Sequence, residues 1–169
     1  PVSQTSRPVP EALRQAFSKQ SAGQALVQSA VGDWQAWGER ITPLRRAVFV
    51  EEQAISEQLV WDTADTDAVH AVVVNELGQV VASGRLLVQA PGVARVGRMA
   101  THKVLRGSGM GLQVLRDLVR VARERGDSEV MLHAQCSAEG FYAGEGFRAR
   151  GPVFVEAGIS HQEMVMFLN

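Results

Sequence analysis

The sequence predicts an α+β domain built on a mixed, mostly antiparallel sheet of six to seven strands flanked by helices. Three features carry that reading. β-rich runs at 71–75, 80–89 and 93–102 are separated only by short turns, which makes an antiparallel meander. A glycine turn and a helical run then lead to the apolar run EVMLHAQ at 129–135, the one natural parallel crossover in the chain. Helical patterns lie before the meander, and two further strand patterns close the sequence.

The composition bounds the function. The chain has 169 residues, 46% hydrophobic and 21% charged, the proportions of one globular domain with a real core. No run approaches the roughly 18 apolar residues of a membrane span. The opening PVSQTSRPVP lacks an apolar signal core. Cys136 is the one cysteine, and no Cys/His cluster has zinc spacing, so no metal is expected and a reducing cytoplasm is. The net charge of -1 argues against a generally basic nucleic-acid binder. Residues 95–125 nevertheless hold seven arginines and Lys103 against Asp117 and Glu124. That local excess predicts either an anion-attracting region or a solvated helix face.

Residues 1–22 read as a leader with a possible short helix, ahead of a domain at 23–169. ALVQSAV at 25–31 is a first strand, ended by Gly32, and Asp33 can cap the helix that follows. Pro43 predicts two helical pieces with a break near Thr42. The stretch 58–68 is polar and turn-rich and reads as a loop. Leu112, Leu115, Leu118, Val119 and Ala122 recur at helical spacing, and Gly126 is a natural stop. SAEGFYAGEGF is a short helix, and EAGIS turns between two last strands.

The segment Arg106-Gly107-Ser108-Gly109-Met110-Gly111 opens the amphipathic helix. Glycine permits close backbone approach and positive φ. The first amides of a helix have no internal partner, and with the helix dipole they suit a phosphate. Arg106 would add charge. Neither a Walker A loop nor a dinucleotide G-x-G-x-x-G is present. A tight turn into the helix explains the same glycines.

The stretch VGRMATHKVLRGSGMGLQVLRDLVRVARERG resembles the acyl-CoA-binding core of the GCN5-related N-acetyltransferases, the GNAT superfamily. R-x-x-G-x-G falls on Arg106, Gly109 and Gly111, and FYAGEGF at 141–147 matches a second element. VFVEEQ at 48–53, AQ at 134–135 and EAGISHQEM at 156–164 look like a bacterial subgroup that includes ElaA and YjcF. The resemblance spans about residues 25–169. It implies that strands four and five splay apart and hold acetyl-CoA, which would donate its acetyl group directly to a small-molecule or peptide amine. Met99, Ala100 and Thr101 would pair with the pantetheine arm, and a Met99 or Ala100 amide would polarise the thioester carbonyl. The stretch Gly107, Ser108, Gly109, Met110, Gly111 and Leu112 would hold the pyrophosphate. A homodimer is implied by the family alone; neither nucleic acid nor membrane is an expected partner.

Within that resemblance Tyr142, the one tyrosine, sits where the family places an acid near the sulfur. The alternative is a core aromatic whose hydroxyl only hydrogen-bonds. Glu51 and Glu52 are candidate bases on a helix flanking the acceptor, and Glu52 a candidate acceptor contact; both are otherwise surface carboxylates. His133 is a candidate base or a satisfied sheet histidine. His161 is a candidate acceptor-site residue. Cys136 is expected to be inert rather than an acyl carrier. The rival functions are a non-catalytic acyl-CoA sensor or scaffold, and a binding protein using Trp34, Trp37 and Trp61.

Overall fold

The computed structural model describes residues 27–169. The leader at 1–22 and the start of the first strand lie outside the described residues. Strand β1 (Val27–Gly32) leads to helix α1 (Trp34–Arg45), capped by Asp33, which accepts from the Ala36 amide at 2.8 Å. The expected break at Thr42 does not occur: α1 runs through Pro43. The Thr42 hydroxyl donates to the Gly38 carbonyl at 2.8 Å, one turn below the missing proline donor. The irregularity appears later, as a π-helical stretch over Arg46–Glu52, where the Gln53 amide reaches back to Val48 O at 3.1 Å. Burial of Ile41, Leu44, Arg45, Val48 and Phe49 explains why the chain stays helical past its proline. The expected loop at 58–68 also contains helix: a single turn, α2 (Glu57–Val60), and a 3₁₀ turn at Thr63–Thr66.

The meander follows as β2 (Val69–Asn75), β3 (Val80–Ala90) and β4 (Val93–Thr101). Helix α3 (Met110–Glu124) crosses to β5 (Glu129–Gln135), which runs parallel to β4. Helix α4 (Glu139–Ala143) precedes β6 (Arg148–Ala149), β7 (Phe154–Glu156) and β8 (Ile159–Phe167). The sheet order is β1-β2-β3-β4-β5-β8-β6, with β7 also on β8. The eighth strand is the two-residue β6, too short to leave a periodicity.

Two apolar layers sandwich the sheet. On one face α3 packs Val114, Leu115 and Leu118 onto Ala82, Leu86 and Leu132. On the other, α1 and the π stretch pack Ile41, Leu44 and Phe49 against Val72 and Val80, with Trp34, Trp37 and Trp61 partly buried beside them. Those tryptophans therefore belong to the core layer rather than to a bare binding face. Under α1 also lies a buried ion network. Arg45, 1% exposed, holds Asp65 with two bonds of 2.7 and 2.9 Å, and Arg85 bridges Asp65 and Asp62.

Candidate active site

The pairing of β4 with β5 ends at Val96–Leu132. Beyond it the strands part. The cause lies in β4, where Arg98 and Met99 together oppose the single residue Gly84 of β3, a bulge with Arg98 at φ 52°. A Cβ on Gly84 would run into Met99 Sδ, so glycine there lets the Met99 side chain pack under the strand. Arg98 turns to the opposite face. Its guanidinium donates to the carbonyls of Val60 at 2.8 Å and Leu59 at 3.0 Å, and meets Asp62 at 3.2 Å.

A cavity of about 720 Å³ occupies the gap. Elements from both faces of the sheet line it, which makes it a passage rather than a surface dent. One end is built by the β4 bulge and by the turn into α3. Met99, Ala100, Thr101, Arg106 and Gly107 line it together with Gly109, Met110, Gly111 and Leu112. Ser108 does not; its hydroxyl turns back to the Leu105 carbonyl. Gly107 and Gly109 take φ of 82° and 87°, and a Cβ on either would meet nothing within 4 Å. These glycines are therefore required by backbone conformation and leave open space above the turn. Gly111 has a different reason. A Cβ there would lie 3.0 Å from Thr101 Oγ1, so glycine lets α3 start close against β4. No side chain caps α3, and its amides before Gln113 precede the first intrahelical bond. The turn thus presents free donors and a positive dipole end to an anion.

The charges are placed differently from the sequence expectation. Arg106 is held by Glu52 through paired bonds of 2.5 and 2.6 Å, and it donates to Thr101 O. Its hydrogen bond keeps the Glu52 carboxyl below the usual range. Glu51 and Glu52 line a second pocket with His102 and Lys103 and are not among the residues lining the main cavity. Arg98, Arg116, Arg120 and Arg125 each meet a carboxylate as well. Among the described residues Arg95 and Arg123 have none within 4 Å. Most of the local arginine excess is thus neutralised in ion pairs.

Tyr142 faces the cavity from α4, 8% exposed, with its ring against Phe141 and Phe147. Burial pushes its hydroxyl up to about 12, and no described residue hydrogen-bonds it. It keeps its proton at neutral pH. Cys136 lies outside the cavity lining, and desolvation and Glu139 push its thiol up.

The other end of the cavity gathers His133, His161, Arg95 and Glu156. His133 and His161 reach it because β8 runs antiparallel to β5 with His161 opposite Gln135 and Glu163 opposite His133. Glu156 was missed by the sequence reading. It ends β7, and a two-residue turn at Ala157 and Gly158, both at positive φ, sets it opposite Ile159. Counting the EAGIS hairpin would have brought Glu156 near His161, but not near His133. Its carboxylate lies 3.6 Å from His133 Nδ1 and 3.8 Å from His161 Nε2.

A parted parallel strand pair, a bulge beside it and an uncapped glycine turn under it define a class: acyl-CoA-dependent acetyltransferases. Residues 15–168 match the acetyltransferase (GNAT) domain model. The uncharacterized N-acetyltransferase YjcF of Bacillus subtilis is 30% identical over 72% of this chain and 86% of its own. Escherichia coli ElaA superposes with a TM-score of 0.73 at 26% identity, over 82% of this chain and 98% of that one. A Lactobacillus plantarum structure provisionally assigned as an N-acetyltransferase gives 0.78 at 32% identity, over 85% and 99%. The chain belongs to the GNAT family of acetyltransferases. Among the described residues no helix is long and apolar enough to cross a membrane, and no group of metal-ligating side chains occurs.

Proposed function

We propose that this chain moves an acetyl group from acetyl-CoA to a primary amine, by direct attack in a ternary complex. The observation that carries this reading is the single cavity joining three features: the bulge of β4, the uncapped start of α3 and the protonated Tyr142. The turn amides from Gly107 to Leu112 bind the pyrophosphate, and open space above Gly107 and Gly109 admits it. Arg106 acts chiefly by fixing the turn, since Glu52 and Thr101 already take its donors. An amide at Met99 or Ala100, freed by the bulge, stabilises the oxyanion; a donor of this kind is typically worth ~10²–10³ in rate. Tyr142 protonates the leaving thiolate. The lone Cys136 fits a reducing cytoplasm.

Calorimetric titration with acetyl-CoA, with NADH and ATP as controls, tests the cofactor assignment. Selective binding of acetyl-CoA is the expected result, followed by amine-dependent thiol release. Binding of a nucleotide control alone would refute it.

A further inference from the structure

The two histidines at the far end of the cavity face it in opposite protonation patterns. Arg95 Nη2 lies 3.0 Å from His133 Nδ1, and a guanidinium can only donate. The Nδ1 lone pair of His133 is therefore taken, and its proton sits on Nε2, toward Glu163 at 3.7 Å. His161 is the reverse. Its Nδ1 lies 2.7 Å from the Ile159 carbonyl, which can only accept, so Nδ1 carries the proton. The lone pair on Nε2 is free. The ring is 7% exposed, stacks on Phe154 at 5.8 Å and lines the cavity. The charged group nearest to Nε2 is the Glu156 carboxylate at 3.8 Å. Glu156 also approaches His133, and Glu163 is tied to Arg150 at 2.8 Å.

The remaining walls define what can enter. Phe49, Ile55, Leu59 and Val60 give an apolar side. Arg98 also lines the cavity but is held by Asp62, whereas Arg95 has no carboxylate within 4 Å among the described residues. Among the described residues Glu156 is the one carboxylate lining the cavity. One ammonium finds a partner there. A second positive charge meets Arg95 and costs Coulomb energy in a partly desolvated site.

We infer that His161 is the general base, that Glu156 holds the substrate ammonium beside it, and that the acceptor is a primary amine with one positive charge on an apolar body. This rests on the acetyltransferase reading above. The ammonium gives one proton to His161 Nε2, from which it passes to solvent past the half-exposed Glu156. The freed nitrogen lone pair attacks the thioester carbonyl carbon and forms the C–N bond. The adduct collapses with cleavage of the C–S bond, and the sulfur takes the Tyr142 proton. The second nitrogen proton, carried by water, restores Tyr142. Ammonium and thioester thus become amide, thiol and one released proton.

The test uses the full chain, with acetyl-CoA binding measured by calorimetry and thiol release followed from about pH 6 to about pH 9. The probes are 2-phenylethylamine and hexylamine against spermidine and kanamycin. The singly charged amines are expected to be acetylated faster. H161Q should lower kcat by ~10²-fold near neutral pH without changing acetyl-CoA affinity. That deficit should narrow at alkaline pH, where the amine loses its proton unaided. E156Q should raise the amine KM by about tenfold and leave kcat within about twofold.

An unchanged kcat in H161Q would overturn the base assignment, and preference for spermidine or kanamycin would overturn the substrate class. Bound acetyl-CoA with no amine of either kind acetylated would overturn the subsite alone. Absence of acetyl-CoA binding would overturn the reading beneath it. Should H161Q not fold, E156Q carries the test, since its side chain is 48% exposed; an unchanged amine KM would then refute the subsite.

Discussion

Replacing Gly109 by alanine separates the conformation of the glycine turn that opens α3 from its steric openness. Gly109 holds φ 87° and ψ 3° at the entry to α3. A Cβ there meets nothing within 4 Å, so the substitution adds no clash. What it adds is the left-handed penalty of an L-residue, ~1–2 kcal/mol. The turn is exposed, so in the free protein it can relax and shed that penalty. Acetyl-CoA needs the amides aligned, and the cost then appears in affinity, as a ~5–30-fold rise in Kd. Asparagine tolerates the left-handed region, so Gly109→Asn should lose less. Gly111→Ala gives the contrast: its φ is ordinary, and its Cβ lies 3.0 Å from Thr101 Oγ1, so the cost is a crowded contact that the Thr101 side chain must yield to by a few tenths of an ångström. Calorimetric titration of the three variants with acetyl-CoA measures the order directly. A Kd for Gly109→Ala within about twofold of the parent would refute the argument, as would asparagine no better than alanine.

Tyr142→Phe removes a hydroxyl with no described partner, so acetyl-CoA affinity and fold should hold while turnover drops by ~10²-fold; stopped-flow thiol release checks this. Asp65→Asn removes the charge that pairs with Arg45 and leaves that buried guanidinium without a carboxylate, while Arg85 keeps Asp62, a loss of ~3–5 kcal/mol that urea titration would register. Asp62 titrates at about 2, below its ordinary 3.8, because Arg85 hydrogen-bonds its carboxylate. Its contribution is therefore present above about pH 4 and lost as pH falls through 2. The shift corresponds to ~2 kcal/mol, which the 41% exposed side chain reduces to ~1 kcal/mol. Melting temperature followed across that window should fall less in Asp62→Asn than in the parent. Gly84→Ala sets a Cβ into Met99, and the overpacking should cost ~1–3 kcal/mol by thermal unfolding.

The order of elements was legible because each signal is local. The meander shows in consecutive β-rich runs, the crossover in one amphipathic helix, and the helix entry in alternating glycines. Asp33 as a cap was readable for the same reason. What escaped depends on residues distant in sequence. Arg45, Asp65 and Arg85 are separated by steps of twenty, and nothing in their neighbourhoods marks them as partners. Glu52 has the right residue type and ends the π stretch whose Val48 and Phe49 line the cavity, but Arg106, fifty-four positions away, claims both its oxygens. Glu156 joins His133 only through the stacked registers of β7, β8 and β5.

The buried ion network bears on catalysis through geometry rather than stability. Desolvating Arg45, Arg85 and Asp65 is expensive, and a well-packed apolar cluster of the same volume would often be as stable. What an apolar cluster could not do is hold Arg98. Asp62, fixed by two bonds from Arg85, meets the Arg98 guanidinium, whose other donors take the carbonyls of Leu59 and Val60. Arg98 itself is the positive-φ residue of the β4 bulge. One side chain therefore joins the β4 bulge to Leu59 and Val60 on the apolar wall of the cavity. Shortening it in Arg98→Lys keeps the charge and loses the fork of donors, which decouples the two. The bulge would then relax toward a regular strand, lowering kcat and raising the amine KM together. A merely structural Arg98 would shift melting temperature and leave both constants in place.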